Sequence, residues 1–419
     1  MAAGYAEILR ARHAMRLLTG TLVGRLPNAT AAIAIVLFIR DEGGTYSLAG
    51  ALAAVYGVAN AIGQPVLGRL VDLRGQPKVQ LPAAVLSALA MTLFAFVGTG
   101  SLAAAYGAVA AAGLFTPPLE GGLRALWPSV LPREEQVHTA YAMDAIAQEV
   151  MFTVGPLLVT VCVSLWSAQA ALVVLNVIGV LGALSVVLSR PSRAWRSAPR
   201  EAHWLGALRS PGLLALLATF LFIGLALGSI TVDGVSYADD NGGDAVYGWM
   251  MAALGLGALV GGTVYGARQW SGAPETRLRW LVALLALFYA PLMLMPGPVA
   301  MVALTAVAGV FLAPCIACAF LVVDRHAPQG TVTEAFSWLV TTFTVGASVG
   351  TAVAGPVVEW GGTRSGFVVP AVTGTAALLV LLATGKVLAA PRKSGRVAVS
   401  SENDPNRAVE PRFSSGDRA

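Results

Sequence analysis

Charge is scarce in this chain. Only 12% of its 419 residues are Asp, Glu, Lys or Arg, against roughly 25% in ordinary soluble domains. A water-soluble core cannot absorb the accompanying 56% of hydrophobic residues and mean hydropathy of +0.72. Cysteine is scarcer still: Cys162, Cys315 and Cys318 all fall inside apolar stretches, which excludes a disulfide framework and leaves small-residue packing as their role. Cys315-Ile-Ala-Cys318 has CxxC spacing, but it sits beside Pro314 in an apolar run without further ligands, so no metal is implied. His13, His138, His203 and His326 are scattered. The chain has no glycine-rich phosphate loop followed by lysine and no Ser-His-Asp or Cys-His signature. ATP hydrolysis, intramembrane proteolysis and enzymatic catalysis in general lose support, and no cofactor is expected.

What is present in quantity is apolar sequence in span-length pieces. A hydrocarbon layer of about 30 Å takes roughly 20 helical residues, and such pieces recur near 17–39, 48–68, 79–98, 101–123, 140–163 and 169–189, then 211–233, 246–267, 280–296, 299–323, 336–357 and 366–388. Lipid offers the backbone no hydrogen bonds, so each must be a helix or part of a closed barrel, and the pieces lack a barrel's alternation. The expected fold is an all-α polytopic membrane protein with twelve transmembrane helices. The many Gly and Ala residues within the pieces suit close helix packing.

Basic residues orient such a bundle, because they stay cytoplasmic. With both termini inside, the inner segments hold Arg10, Arg12, Arg16, Arg69, Arg74, Lys78, Arg124, Arg133, the arginines from 190 to 209, Arg268, Arg277, Arg279, Arg325 and every basic residue from Lys386 onward; only Arg40 and Arg364 fall outside. The expected location is the inner or plasma membrane. The net charge of +5 therefore has a topological cause. Basic residues spread over short loops argue against nucleic acid and for anionic lipid headgroups as partners.

The first apolar run follows a basic segment, but it contains Arg25 and Pro27 and lacks a small-residue cleavage site, so it reads as a retained helix. The Arg-, Ser- and Pro-rich stretch after residue 189 divides the helices six and six. The expected organisation is a six-helix bundle over 1–189, a cytoplasmic linker over 190–210, a second six-helix bundle over 211–388 and a disordered cytoplasmic tail over 389–419. The halves repeat each other. Ala112-Gly113-Leu114-Phe115-Thr116-Pro117-Pro118 parallels Ala308-Gly309-Val310-Phe311-Leu312-Ala313-Pro314, and Thr139-Ala140-Tyr141 parallels Thr333-Glu334-Ala335-Phe336, the mark of a duplicated unit.

Between the second and third pieces stands Gly68-Arg69-Leu70-Val71-Asp72-Leu73-Arg74-Gly75-Gln76-Pro77-Lys78. Gly68 and Gly75 allow close helix approach and a tight turn, while Asp72 can face a helix N-terminus or a cation. This segment resembles the signature loop of the major facilitator superfamily, matching at Gly68, Asp72, Gly75 and Lys78. The chain departs from the pattern at Leu73 and Gln76, where the family has basic residues; Arg69 and Arg74 are the nearby substitutes. A second copy around Gly262-Thr263-Val264-Tyr265-Gly266-Ala267-Arg268 keeps glycines and loses the acid. The resemblance implies a monomeric secondary transporter whose halves rock about a central site, with Asp72 helping to lock the outward-facing state. Gly155-Pro156 resembles the core of the family's antiporter motif, where the two residues shape a bend, and points to efflux of a small organic compound coupled to protons; Met151 and Leu157-Leu158-Val159 stand where the motif has further glycines, and a packing kink is the alternative. Proton-linked nutrient uptake, or a transporter-like sensor or lipid-handling protein, are the alternatives.

Ionisable residues at membrane depth are functional candidates by default. Arg25 lies within the first piece and Glu149 near the middle of the fifth. The resemblance makes those helices neighbours, so an Arg25–Glu149 pair is geometrically reasonable, either as a proton-coupling device or as a permanent salt bridge fastening two helices, and the sequence leaves open whether the two meet. Glu120 and Arg124, four residues apart, can pair along one helix face near the headgroups. Asp144 and Asp233 are candidate gate residues. Tyr141, Phe152, Trp249, Phe336 and Trp338 either line a cavity or anchor the protein in lipid.

Overall fold

The computed structural model describes residues 4–199, 203–241 and 243–389, without the side chains of residues 46, 152, 153, 156 and 244. The chain is helical throughout, with no strand among the described residues. The first six spans are Ala14–Asp41, Tyr46–Arg74, Gln76–Val97, the broken pair Leu102–Leu114 and Leu119–Val130, Glu134–Leu165, and Ala168–Val187. The second six are Pro211–Asn241, Asp244–Ala267, Pro274–Tyr289, the broken pair Pro298–Gly309 and Leu312–His326, Val332–Gly366, and Val368–Ala383. Ten of these segments are long and apolar enough to cross a membrane, and Val368–Ala383 is a shorter apolar helix; the 32-residue Glu134–Leu165 completes the twelve. The expected tail lies outside the described residues beyond 389, as do residues 200–202 of the expected linker, which elsewhere forms a short helix at Arg190–Ala194 and a 3-10 turn at Gly206–Arg209.

Local chemistry sets the helix ends. Thr45 and Ser167 accept hydrogen bonds from the Leu48 and Ala170 amides, at 3.1 and 3.0 Å, capping the second and sixth spans. The fourth span breaks at Thr116-Pro117-Pro118, where two prolines remove donors and disfavour helical geometry before them; hydropathy alone reads straight through this break. The turn between the second and third spans is made by Gly75 at φ +85°, a conformation open to glycine.

Small residues bring the helices together. Gly224 and Gly228 of the seventh span face Gly346 and Gly350 of the eleventh. A Cβ on any of the four would strike a carbonyl of the opposite helix: Phe343, Ala347, Leu221 and Leu225 in turn. The first and sixth spans approach likewise through Gly24 and Gly182. Such contacts replace the hydrophobic drive that lipid does not supply.

Short connections make successive spans antiparallel, so Ala14, Gln76, Glu134, Pro211, Pro274 and Val332 begin at one end of the bundle, which carries most of the arginines and is called the basic face below; the other end is the acidic face. At the basic face the halves are in contact. A Cβ on Gly68 of the second span would sit 2.6 Å from Ser337 Oγ of the eleventh, and one on Gly262 of the eighth would sit 2.6 Å from Ile146 of the fifth. The duplicated loops thus occupy equivalent seams. The short helix Tyr5–Arg10 crosses one of them: Tyr5 Oη donates to the carbonyls of Gly262 (3.2 Å) and Thr263 (2.9 Å), and Glu7 pairs with Arg133. Burial pushes the Tyr5 hydroxyl up to about 12, so it stays a donor.

Candidate functional site

A central cavity of about 710 Å³ lies between the halves, within the range of small-molecule sites. Its floor holds Arg25 and Glu120, and its wall reaches Tyr247, which stands in the first turn of the eighth span. It therefore runs from mid-bundle toward the acidic face. A second, separate cleft of about 880 Å³ lies at the basic face, between the loop around Arg133 and that around Trp270.

Under the floor, four charges from three spans close a ring. Arg25 Nη2 meets Glu120 Oε1 at 2.7 Å and Arg25 Nη1 meets Asp144 Oδ1 at 3.3 Å. Arg124 Nε meets Asp144 Oδ2 at 2.6 Å and Arg124 Nη2 meets Glu120 Oε2 at 3.3 Å. Each guanidinium touches both carboxylates, so the ring is neutral and every desolvated charge has two opposite partners. Arg124 Nη2 also donates to Gln148 Oε1 at 3.3 Å. The partners of Arg25, left open by the sequence, are Glu120 and Asp144, because the break at Pro117-Pro118 lets the second half of the fourth span present Glu120 to the first. The Glu120–Arg124 pair lies along one helix face and is enclosed by protein, with Arg124 and Asp144 0% exposed. Glu149 lies in the cavity wall, beyond the ring on the same helix as Asp144.

Arg124 faces the other half as well. Its guanidinium carbon lies 3.7 Å from the ring centroid of Phe320 in the tenth span. Phe320, Phe336 and Tyr141 pack edge-on or tilted with centroids 6.0–6.1 Å apart. This cluster lies between the ring and the basic face. Tyr141 and Phe336 therefore pack below the ring, and they, Trp249 and Trp338 are not among the described residues of the cavity wall; Trp249 is exposed. The side chain of Phe152 lies outside the described residues. The aromatics that do line the cavity are Tyr56, Tyr247 and Phe343.

The signature loop is spread along the same seam. Asp72 is buried and accepts from the amides of Thr333 (3.1 Å) and Glu334 (2.8 Å) at the start of the eleventh span, an anion on a helix N-terminus. Arg69 donates to the carbonyls of Trp204 (2.7 Å) and His203 (3.2 Å) in the linker, while Arg74 and Lys78 are exposed. Gln76, where the family has a basic residue, is fully buried; it donates to the Gly122 carbonyl at 2.9 Å and accepts from Ser192 at 2.9 Å. The position has exchanged a charge for an internal hydrogen-bond link to the fourth span.

The fifth span is one continuous helix through Gly155, whose Cβ would lie 3.2 Å from Thr30 of the first span; the side chain of Pro156 is outside the described residues. Asp233 stands away from the cavity. It is 0% exposed, neither carboxylate oxygen has a hydrogen-bond partner among the described residues, and it lies against Gly366, just after the kink at Gly362 (φ +73°).

The wall residues that sequence reasoning missed are amides. Asn28 and Asn60 join through Asn60 Nδ2 donating to Asn28 Oδ1 at 3.2 Å, and Tyr56 Oη bonds the same Asn28 oxygen at 3.2 Å. Gln64 donates to the Thr116 carbonyl at 3.0 Å. An amide in the middle of an apolar span is a signal of its own, since it must find a partner or a cavity there. Phe320 left no such signal.

No curated protein sequence matches the chain. Among solved structures, a bacterial homologue of the iron transporter ferroportin in its outward-facing state is similar at 14% identity and a TM-score of 0.73, over 90% of this chain and 100% of that one. The human organic anion transporter MFSD10 (TETRAN) matches at 17% identity and 0.65, over 88% and 99%. The E. coli fucose:proton symporter FucP matches at 16% identity and 0.65, over 88% and 97%. These likenesses bear on the fold. A family model covers residues 17–333, and with it the signature loop, the ring and the cavity floor: the chain belongs to the Major Facilitator Superfamily.

Proposed function

We propose that the chain is a proton-coupled secondary transporter that exports a small organic compound by rocking its two halves about the central cavity. The observation that carries this reading is the cavity itself: it stands between duplicated halves, runs toward one face and is separated from the other by Asp72 on the eleventh span and Arg124 on Phe320. The basic face is taken as cytoplasmic from its arginines, which makes this the outward-facing state.

Glu149 is the proposed proton-carrying group, because it is an ionisable side chain in the wall of the cavity at membrane depth. The ring of Arg25, Glu120, Arg124 and Asp144 is the proposed link between cavity and seal: two of its members line the floor and a third holds the aromatic cluster. Export is favoured by the resemblance at Gly155-Pro156. The structural neighbours differ in chemistry by their names, a homologue of an iron transporter, an organic anion transporter and a fucose:proton symporter, so the fold leaves the substrate open.

The test is uptake into proteoliposomes across a panel of drugs, sugars and metabolites, by counterflow and with a pH gradient, for wild type and Glu149→Gln. The expected result is gradient-driven accumulation by wild type, and exchange without that drive in the variant. A folded variant that keeps full gradient-driven transport removes Glu149 from coupling. A wild-type protein that moves nothing favours the sensor or lipid-handling alternative.

A further inference from the structure

The two walls of the central cavity differ in chemistry. On the side of the first six spans, Gln64, Gln148 and Asn176 line the cavity and are each more than nine-tenths buried. Each uses one amide atom within the protein: Gln64 Nε2 on the Thr116 carbonyl, Gln148 Oε1 on Arg124, and Asn176 Nδ2 on the Leu172 carbonyl at 2.8 Å. Their other amide atoms, Gln64 Oε1, Gln148 Nε2 and Asn176 Oδ1, have no protein hydrogen bond among the described residues. Nor does Asn28 Nδ2, whose own oxygen serves Tyr56 and Asn60. This wall thus holds two donors and two acceptors ready for a ligand.

The opposite wall is apolar, formed by Leu227, Met251, Leu254, Leu312, Val340 and Phe343. Its threonines spend their hydroxyl protons on backbone carbonyls: Thr231 on Leu227 (3.2 Å), Thr344 on Val340 (2.9 Å) and Thr351 on Ala347 (3.0 Å) and Gly228 (3.2 Å). Tyr247, near the mouth, is the polar exception.

We infer that the molecule held here is uncharged and two-faced, with hydroxyl groups turned to Gln64, Gln148, Asn176 and Asn28 and an apolar body turned to Phe343 and Leu254, the chemistry of an aryl glycoside. This rests on the transport reading of the cavity. A hydroxyl both donates and accepts, which suits a wall offering two of each. An anionic ligand would have to draw Arg25 from Glu120 and leave a buried carboxylate unmatched. A fixed cation would find Glu120 already neutralised by Arg25 and Arg124.

Matched 4-nitrophenyl compounds separate these cases by titration calorimetry of the full-length protein in lipid nanodiscs, with no gradient imposed. The expected result is saturable binding of 4-nitrophenyl β-D-glucopyranoside. The corresponding glucuronide (anion), the 2-amino-2-deoxyglucoside (cation) and free glucose should each bind at least tenfold more weakly. Asn176→Leu and Gln64→Met should each weaken glucoside binding about tenfold, since each leaves ligand hydroxyls unpaired. Phe343→Ala should weaken the glucoside while leaving free glucose unchanged. Elution volume and melting temperature identify folded variants, and Gln64→Met decides if Asn176→Leu fails to fold. The inference is overturned if the glucoside does not bind saturably, if the charged analogues bind as tightly, or if folded variants keep full affinity. Loss of the class with intact counterflow of another compound leaves the transport reading standing, whereas glucoside binding without any flux does the reverse.

Discussion

The Arg124 guanidinium of the fourth span lies 3.7 Å over the ring of Phe320 in the tenth, so a charge tied to the cavity floor is also a contact between the two halves. A desolvated cation–π pair of this kind contributes about 2 kcal/mol. Phe320→Leu keeps the apolar volume and loses the ring face. It should shift the protein toward the state open at the basic face by a factor of about 10 to 30. Spin-label distances across the basic face measure that shift; unchanged distance distributions would dismiss the contact as a latch.

Asp144→Asn removes one carboxylate from a buried ring in which Arg25 and Arg124 each need two. Breaking such a pair costs roughly 3–5 kcal/mol, and the melting temperature should fall steeply. Adding Arg25→Gln to the same protein restores neutrality and should recover part of the loss. Independent, additive losses in the double variant would mean that the four groups do not act as one unit.

Asp72 accepts two backbone amides at the start of the eleventh span. Asp72→Ala should cost about 1–2 kcal/mol and raise labelling of a seam cysteine from the basic face. Asp72→Asn keeps an acceptor while losing the charge, and should fall between the two.

Asp233 is a buried carboxyl without a hydrogen-bond partner among the described residues. Leaving such a group unmatched costs about 1–3 kcal/mol, so Asp233→Leu should raise the melting temperature. A fall instead would contradict the reading of Asp233 as an unmatched carboxyl.

The helical pattern, the duplication and the signature loop were legible because lipid imposes them on composition directly. A span must be apolar for its whole length, and the turn at Gly75 requires a positive φ. The charges at depth were legible as charges, for the same reason. Their pairing was not. Whether Arg25 meets Glu120 or Glu149 depends on how the break at Pro117-Pro118 sets the direction of the second half of the fourth span, a matter of a few ångströms in three dimensions. Gly68 and Asp72 stand at a close approach and at a helix N-terminus, and their partners, Ser337 and Thr333, lie more than 250 residues away in the chain. Tyr141 and Phe336 look like cavity aromatics by type. They pack against each other instead, because the duplication brings equivalent positions of the two halves face to face at the basic end.

The central claim is that one cavity is reached from both faces in turn, and Thr344 tests it, being exposed within the cavity wall. In a protein with Cys162, Cys315 and Cys318 replaced by Ala, Thr344→Cys would be treated with a membrane-impermeant maleimide applied separately to each side of oriented vesicles. Alternating access predicts labelling from the acidic face at once and from the basic face more slowly, with the basic-face rate raised by Phe320→Leu. Labelling confined to one face, whatever the variant, gradient or substrate, would contradict the account.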